Sequence, residues 1–430
     1  MRVLLSTIGS RGDVQPMAAL AVRLRELGHE ARVCAPPDFR DWIEGLGIPF
    51  IPIGPELRYT AKASPPAAQA RPTPEQMRQI AAATVATQFQ VIPAAAEDCD
   101  VLVAGGALQI ALRTVAEQRG VPYVYASYCP VTLPSAHHGP PAWQGDAPAD
   151  GTAGNAGLWA EDARRWNDSW GVALNAHRAA AGLPAVDDVR GHIFTGTPWL
   201  AADPTLAPWP DPEEPAVVQT GAWILPDPRP LSPELEAFLD AGEPPVYFGF
   251  GSIRAPEGLG TAMIQAARAL GRRAIISRGW AELSPVDEGR DFLAIGEVNQ
   301  QALFERVAAV VHHGGAGTTT AAARAGAPQV IIPQIYDQHY WARRIHHLGI
   351  GTAHARGTPT ADSLTDALGD ALHPEVAARA RSIAPAVRGD GARVAAQRLA
   401  AVREAYAVAG SGARAAAPAV AASSSDSART

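Results

Sequence analysis

A histidine- and glycine-rich segment, residues 311–319, has the composition of a phosphate-binding turn. It reads Val-His-His-Gly-Gly-Ala-Gly-Thr-Thr and lies between an apolar run typical of a buried strand and an Ala-rich stretch typical of a helix. Such a turn presents free backbone N–H groups and the positive end of the helix dipole to an anion. His313 can donate a hydrogen bond to phosphate oxygens, while Thr318 and Thr319 can add hydroxyls and cap the helix.

The two adjacent histidines of this segment are expected to play different roles. Consecutive side chains of a strand point to opposite faces of the sheet, so His312 and His313 cannot both reach one ligand. We assign the ligand role to His313, which is nearer the turn, and expect His312 to lie in the core.

Three further turns between a strand and a helix carry polar side chains. They contain Ser10, Arg11 and Asp13 in the first, Ser252 in the second, and Asp337 with Gln338 in the third. Each alone can be explained as a solvated ion pair or a helix cap. Because ligands of open α/β sheets bind beyond the carboxyl ends of the strands, their occurrence in matching turns favours one shared site.

Several tryptophans and histidines outside these turns could also contact a ligand. Trp280 follows a predicted strand and could stack on a nucleobase. The pairs 137–138 and 346–347 are neighbouring histidines, which make poor chelates, so we expect no metal site. Trp159, Trp166 and Trp170 have helical spacing and are expected in the core or in the wall of a cleft.

The elements that position these turns alternate between strand and helix. In the first half the predicted strands are 3–8, 31–34, 50–53, 101–104 and 121–127; in the second half they are 246–250, 274–277, 292–295, 309–312 and 329–333. This alternation predicts an α/β protein with two Rossmann-like, doubly wound parallel-sheet domains that face each other across a cleft.

The prolines that crowd residues 201–233 mark the expected junction between the domains. We expect a first domain at 1–215, a linker at 216–240 and a second domain at 241–390. A final helix at 391–409 is expected to cross back to the first domain, followed by a disordered tail at 410–430.

The overall composition and the absence of certain motifs argue against several classes of function. The net charge of −7 comes from interspersed residues and argues against a nucleic-acid partner. Three cysteines in 430 residues favour a reducing, cytoplasmic compartment, and no stretch predicts a signal peptide or a stable membrane anchor. The turn at residues 9–13 lacks the Gly-x-Gly-x-x-Gly fingerprint of dinucleotide enzymes, and no acidic residue ends the second strand, so a dehydrogenase is disfavoured.

Five motifs resemble one known family. They are Gly-Ser-Arg-Gly-Asp-Val-Gln-Pro at 9–16, Pro-Trp-Leu-Ala-Ala-Asp at 198–203, Gln-Thr-Gly-Ala-Trp-Ile at 219–224, Phe-Gly-Phe-Gly-Ser at 248–252 and His-His-Gly-Gly-Ala-Gly-Thr-Thr at 312–319. The chain up to about Gly391 is similar to bacterial natural-product glycosyltransferases of GT-B fold and family 1. The resemblance is strongest to those of vancomycin-type glycopeptide pathways.

The resemblance implies an inverting transfer of a hexose or deoxyhexose from a TDP- or UDP-sugar, without metal or other cofactor. The domain at 1–215 would bind the acceptor, and the domain at 241–390 would bind the nucleotide-sugar. Asp13 would be the general base. The donor diphosphate would bind to Ser10, Arg11, Ser252, His313, Gly314, Gly315, Ala316, Gly317 and Thr318. Trp280 and Val298 would hold the base, and Asp337 with Gln338 would hold the sugar hydroxyls.

The acceptor is the most open of these expectations. Asp13 near a helix N-terminus and Arg11 should be ionised and a weak base, which matches a phenol of a glycopeptide or polyketide better than an aliphatic hydroxyl. Gln15 is shared with sterol and lipid relatives, so that acceptor class stays open.

A GT-B sugar-nucleotide epimerase needs no acceptor pocket, and the long loops at 55–75 and 130–155 count against it. A non-catalytic auxiliary that only binds a nucleotide is a second alternative, but it would give the Asp13 carboxylate no function. We expect a monomer or weak dimer.

Overall fold

The computed structural model of the protein describes residues 1–59, 73–141, 154–210, 215–255, 258–283, 289–355 and 357–415. These residues form two parallel β-sheets with helices on both faces, which confirms the predicted fold class. The two predicted loops, 55–75 and 130–155, lie partly outside the described residues.

The first sheet has seven strands. They are β1 (Arg2–Thr7), β2 (Glu30–Ala35), β3 (Phe50–Pro52), β4 (Val101–Gly105), β5 (Tyr123–Ser127), β6 (Trp199–Leu200) and β7 (Val218–Gln219). Their order in the sheet is β3-β2-β1-β4-β5-β6-β7, so the winding reverses between β1 and β4. A crevice at such a switch point is the usual ligand site of this architecture.

Seven α-helices accompany this sheet within the described residues. They are α1 (Arg11–Glu26), α2 (Arg40–Gly45), α3 (Pro74–Ala95), α4 (Leu112–Arg119), α5 (Asn155–Trp166), α6 (Val172–Ala180) and α7 (Val189–Phe194). A π-helical turn, Asn167–Gly171, joins α5 to α6. Side chains of β1 alternate between the two faces of the sheet, with Leu4 in one core and Val3 and Leu5 in the other, because helices cover both faces.

The second sheet has six strands. They are β8 (Val246–Gly249), β9 (Ala274–Ser277), β10 (Phe292–Ile295), β11 (Ala309–His312), β12 (Gln329–Ile331) and β13 (Gly351–Ala353), in the order β10-β9-β8-β11-β12-β13. The helices of this half are α8 (Pro233–Asp240), α9 (Leu259–Ala269), α10 (Gln300–Phe304), α11 (Ala316–Arg324), α12 (Gln338–His347), α13 (Ala361–Ala371), α14 (Pro374–Ile383) and α15 (Gly391–Ala415).

The last helix packs on the first half of the chain. Ala392, Ala395, Ala396 and Leu399 recur at the spacing of one helix face and are buried in the same core as Leu20 and Leu24 of α1. The helix continues to Ala415, further than the expected start of a tail at 410, and residues 416–430 lie outside the described residues.

The expected linker at 216–240 contains regular structure. Its β7 pairs in parallel with β6, and the short helix α8 follows. The first sheet therefore extends beyond residue 215.

The chain crosses between the two halves near Gly221 and again near Gly391, and these two segments contact each other at the two glycines. A Cβ at Gly391 would lie 2.3 Å from the carbonyl oxygen of Gly221, whose φ is +90°. Nearby, the buried Asp203 accepts a hydrogen bond from the Arg388 backbone N–H at 2.9 Å. The crossover is thus held by close contact between bare backbones.

Membrane insertion has no support in the helices that the structure describes, since none combines the length and the apolar character needed to cross a bilayer.

Candidate active site

The turn that follows β1 in the first sheet contacts the turn that follows β8 in the second sheet. The backbone N–H of Arg11, at the start of α1, donates a hydrogen bond to Ser252 Oγ after β8 at 3.1 Å. Two of the four turns that the sequence predicts at one shared site therefore meet, those after β1 and β8.

Asp13 lies in the first turn of α1, and its carboxylate folds back onto the helix start. Oδ2 accepts hydrogen bonds from the Ser10 backbone N–H at 2.8 Å and from Ser10 Oγ at 3.4 Å. Burial nevertheless raises the pKa of Asp13 to about 6, against the lowering effect of the Ser10 bonds. Loss of solvent around the carboxylate thus makes Asp13 a stronger base than a free aspartate, although a pKa of about 6 still leaves it mostly ionised at neutral pH.

A second carboxylate, Asp337, reaches the same cavity from the other half of the chain. Burial, and then the negative charge of Asp13, raise the pKa of Asp337 to about 7. Its Oδ2 accepts a hydrogen bond from Trp341 Nε1 at 3.3 Å. The neighbouring Gln338 is buried, and its Oε1 accepts hydrogen bonds from the backbone N–H of Gln334 at 2.8 Å and of Ile335 at 3.2 Å. The Gln338 side chain therefore fixes the loop at residues 334–335 that precedes it.

The glycine-rich turn connects β11 to α11. The helix begins at Ala316 with Gly315 as its N-cap, so the idea that Thr318 and Thr319 cap it is wrong. Both threonines lie inside the first turn, and Thr319 Oγ1 donates to the Gly315 carbonyl at 2.9 Å. Gly314 has a φ of +95°, which L side chains avoid, and lets the chain turn sharply after the strand.

The two histidines separate as predicted. His312 is fully buried; its Nε2 lies 2.9 Å from Gln329 Oε1, and its Nδ1 accepts the Gly314 N–H at 3.1 Å. The His313 ring lies against Gly315 and Gly251, and its Nδ1 is buried without a partner among the described residues. Burial, aided by His312, lowers the pKa of His313 to about 3, so it is a neutral donor at neutral pH.

Arg11 uses its side chain away from the glycine-rich turn. The guanidinium lies 3.6 Å from the centre of the Trp42 ring, donates from Nε to Gln15 Oε1 at 2.9 Å, and lies 3.6 Å from Glu297 of the second half. The predicted role of Arg11 on a diphosphate therefore requires that the side chain leave Glu297.

The two residues predicted to hold a nucleobase have different surroundings. Val298 lines a pocket of about 620 Å³ together with Arg229, Arg278 and Glu297. Trp280 is not among the residues that line this pocket; its ring stacks on Phe39 of the first half, with centroids 5.6 Å apart. One face of the indole is thus already covered.

A second cavity, of about 350 Å³, opens beside Asp13. Six aromatic side chains from the first half of the chain line it: Tyr125, Tyr128, Trp159, Trp166, Trp170 and Phe194. The three tryptophans, predicted in the core or in the wall of a cleft, all line this cavity, and Trp166 is also part of a buried core cluster. Tyr336, whose φ is +55°, completes the lining from the second half.

Sequence reasoning missed several residues of this region. Tyr128 donates from its hydroxyl to the backbone carbonyl of Asp13 at 3.2 Å, and Trp42 supports Arg11. Both contacts join segments far apart in the chain, so no local sequence pattern predicts them. Among the described residues, no group of three or more His, Cys, Asp or Glu side chains is arranged to hold a metal ion.

The sequence matches known glycosyltransferases over nearly its whole length. The model of the glycosyltransferase family 28 N-terminal domain matches residues 3–138, and that of the erythromycin biosynthesis protein CIII-like C-terminal domain matches residues 291–395. The chain is 53% identical to glycosyltransferase GtfE of Amycolatopsis orientalis, over 94% of this chain and 98% of that protein. It is 52% identical to the vancomycin aglycone glucosyltransferase of the same organism, over 93% and 97% of the two chains.

Solved structures show the same fold. The glycosyltransferase of kitacinnamycin matches with a TM-score of 0.69 and 19% identity, over 93% of this chain and 98% of that chain. Glycosyltransferase VinC, in complex with dTDP, matches with a TM-score of 0.63 and 22% identity, over 94% and 100% of the two chains. The chain therefore belongs to the family of vancomycin-type natural-product glycosyltransferases and is a glycosyltransferase of GT-B fold.

Proposed function

We propose that this glycosyltransferase moves a hexose or deoxyhexose from a TDP- or UDP-sugar to a hydroxyl of a natural-product aglycone, with inversion and without a metal. The first domain binds the acceptor and the second binds the donor. The observation that carries this proposal is the position of Asp13, which lines the aromatic cavity while its own helix start contacts Ser252 of the donor half.

Asp13 is the general base in this mechanism. Both Ser10 bonds fall on Oδ2, and Oδ1 lies near Gly106 at the cavity, where a Cβ on that glycine would be 3.6 Å away. As the acceptor oxygen forms a bond to the anomeric carbon, its proton passes to Oδ1 and the bond from that carbon to the diphosphate breaks. Attack from the face opposite the leaving group inverts the anomeric configuration.

The glycine-rich turn stabilises the departing diphosphate. The N-terminus of α11 offers the free N–H groups of its first turn and the positive end of the helix dipole. Neutral His313 adds a hydrogen-bond donor beside Gly315. Donors fixed in advance where charge develops lower the barrier without a cation.

The donor is held by residues from several turns. Val298 in its pocket and the free face of Trp280 bind the nucleobase, and Asp337 with Gln338 binds the sugar hydroxyls. A relative that is 45% identical is named dTDP-epi-vancosaminyltransferase, and VinC is described with dTDP, which supports a TDP-sugar as the first donor to test.

The acceptor is a phenol in our proposal. Aromatic walls favour a flat aromatic ring, and a base with a pKa of about 6 is better matched to a phenol than to an aliphatic alcohol. The relative named vancomycin aglycone glucosyltransferase supports a glycopeptide of this kind. The identity to named glycosyltransferases favours transfer over the epimerase and the non-catalytic auxiliary.

A panel of donors and acceptors tests the proposal. TDP-glucose and UDP-glucose are each incubated with vancomycin aglycone, a simple phenol and a sterol, and the products are identified by mass spectrometry and by the anomeric coupling in NMR spectra. We expect an inverted phenolic glycoside whose yield EDTA leaves unchanged. Retention of configuration, loss of activity in EDTA, or transfer to the sterol alone would contradict the mechanism or the acceptor class.

A further inference from the structure

Three tyrosines in and just after β5 differ in what their hydroxyls contact. Tyr123 Oη donates to the Ile193 carbonyl at 2.9 Å, and Tyr128 Oη donates to the Asp13 carbonyl at 3.2 Å. The Tyr125 hydroxyl makes no hydrogen bond with the residues that the structure describes, although Tyr125 is only 1% exposed and lines the aromatic cavity. Buried polar groups usually have a hydrogen-bond partner, so a molecule bound in the cavity is needed to supply one.

The ring of Tyr125 is held in place, which fixes the direction of its hydroxyl. It stacks on Phe194 with the ring centroids 4.5 Å apart and an angle of 12° between the planes. Among the described residues, the fully enclosed polar atoms without a partner do not include Tyr125 Oη, so a small part of this oxygen is accessible. A donor fixed in advance loses little side-chain entropy when it binds a ligand.

A second tyrosine reaches the cavity from the other half of the chain. Tyr336 has a φ of +55°, a left-handed conformation that bulky L side chains seldom adopt. Within the part of the chain that the structure describes, its side chain makes neither a hydrogen bond nor a ring contact. Strained backbone of this kind is typical of ligand-binding sites, and here the fold itself makes no use of the side chain that the strain positions.

The two hydroxyls lie in the same part of the cavity. Burial raises the pKa of Tyr125, and the nearby Tyr336 hydroxyl raises it further. Burial likewise raises the pKa of Tyr336, followed by the negative charges of Asp337, Asp162 and Asp13. The Tyr336 hydroxyl therefore faces residues of the first half that line the same cavity.

We propose that Tyr125 and Tyr336 each donate a hydrogen bond to an oxygen of the acceptor other than the one that receives the sugar. The inference rests on the proposed function, since it concerns the acceptor of the same cavity. One donor comes from each half of the chain, so a phenol with further oxygens is preferred over a phenol without them. The two tyrosines are specificity-determining residues, while Asp13 acts on the reacting hydroxyl.

Thermal unfolding of the ligand-free enzyme tests whether the fold uses the hydroxyl. Tyr125→Phe removes a hydroxyl without a partner, so the Tm should stay the same or rise. Tyr123→Phe, on the same face of β5, removes a hydroxyl that donates to Ile193 and should lower the Tm by about 1–3 °C. Equal losses in the two variants would show that the fold uses the Tyr125 hydroxyl and would overturn the proposal.

Binding without turnover tests the ligand. Vancomycin aglycone and naphthol both have a phenolic hydroxyl, and only the aglycone has further oxygens; each is titrated by calorimetry into the enzyme loaded with TDP. Tyr125→Phe and Tyr336→Phe should each weaken aglycone binding about three- to tenfold and change naphthol binding less than about twofold. Tyr123→Phe should change neither. Equal weakening of both probes would show that the hydroxyls only support the cavity wall.

The outcomes separate this inference from the proposed function. Enzyme whose aglycone binding depends on both hydroxyls but that transfers no sugar would contradict the proposed function alone. Aglycone binding that neither Phe variant weakens would contradict this inference, even where sugar transfer proceeds. Aglycone that does not bind the unmodified enzyme would contradict the proposed acceptor class, and the unfolding comparison then decides whether the Tyr125 hydroxyl is free for a ligand.

Discussion

Asp13 and Asp337 stand on different halves of the chain and line one cavity, and the charge of the first adds to the burial that raises the pKa of the second. With a pKa of about 6 for Asp13 and about 7 for Asp337, Asp13 is the more readily ionised of the two. Ionisation of Asp13 therefore disfavours ionisation of Asp337, so the two carboxyls together carry less negative charge than two separate carboxylates would.

Asp13→Asn should reduce kcat by about 10²- to 10⁴-fold, the usual contribution of a general base. The change keeps the size of the side chain and its place in the first turn, so the affinity for TDP should change less than about twofold. Single-turnover mass spectrometry and calorimetry check the two parts. Turnover near that of the unmodified enzyme would remove the proposed base.

The pH dependence of the reaction should report the same carboxylate. Because a base must be ionised to accept a proton, kcat/KM should fall about tenfold per unit below a pH of about 6, the pKa of Asp13 in the free enzyme. Initial rates from pH 4.5 to 8 measure this limb, with activity after return to pH 7.5 as the control for acid inactivation. A flat profile down to pH 5 would assign the proton transfer elsewhere.

Asp337→Asn should stabilise the protein at pH 8 but not at pH 4. The folded state raises the pKa of Asp337 to about 7, so its contribution to stability is present below the ordinary carboxyl pKa and is lost as the pH rises through 7. An amide cannot ionise and avoids that loss. We expect the Tm at pH 8 to rise by about 2–4 °C, measured by scanning calorimetry. An equal effect at both pH values would show that ionisation is not the cause.

His313→Ala should weaken TDP binding about tenfold or more, since a buried donor is removed from the glycine-rich turn. His346→Ala, at an exposed histidine of α12, is the matched control and should bind normally. Because the pKa of His313 is about 3, the affinity of the unmodified enzyme should not gain a histidine titration between pH 8 and 6. Unchanged affinity in His313→Ala would refute its place at the diphosphate.

Gly391→Ala should destabilise the crossover between the halves. The new Cβ would lie 2.3 Å from the backbone of Gly221, so one of the two segments must shift, at a cost of about 1–3 kcal/mol. Gly369→Ala, within α13, meets nothing within 4 Å and should be neutral or stabilising. Urea unfolding compares the two. Equal stabilities would show that the crossover yields without cost.

Local patterns predicted the strand-to-helix turns well. The apolar run before His312 and the glycines after it report β11, its turn and α11 within a short window, and the first turn with Ser10 and Asp13 is equally local. Strands β6 and β7 have two residues each, too few for any periodicity, so the sequence predicts a linker at residues 216–219.

Long-range contacts and pKa shifts could not be predicted in this way. The stacking of Trp280 on Phe39 and the position of Arg11 beside Glu297 join the two halves and depend on how they pack. The sequence shows a carboxyl beside an arginine at Asp13, but the burial that raises its pKa is set by side chains more than a hundred residues away, such as Tyr128.

The packing of α15 on α1 has a consequence for the order in which the protein can form. Ala392, Ala395, Ala396 and Leu399 fill a core that also contains side chains of β1, α1 and β2, the first elements of the chain to be made. Domains otherwise tend to fold as units during synthesis, the N-terminal one first. Here the core beneath α1 lacks these four side chains until residues 392–399 have been made, after all six strands of the second sheet.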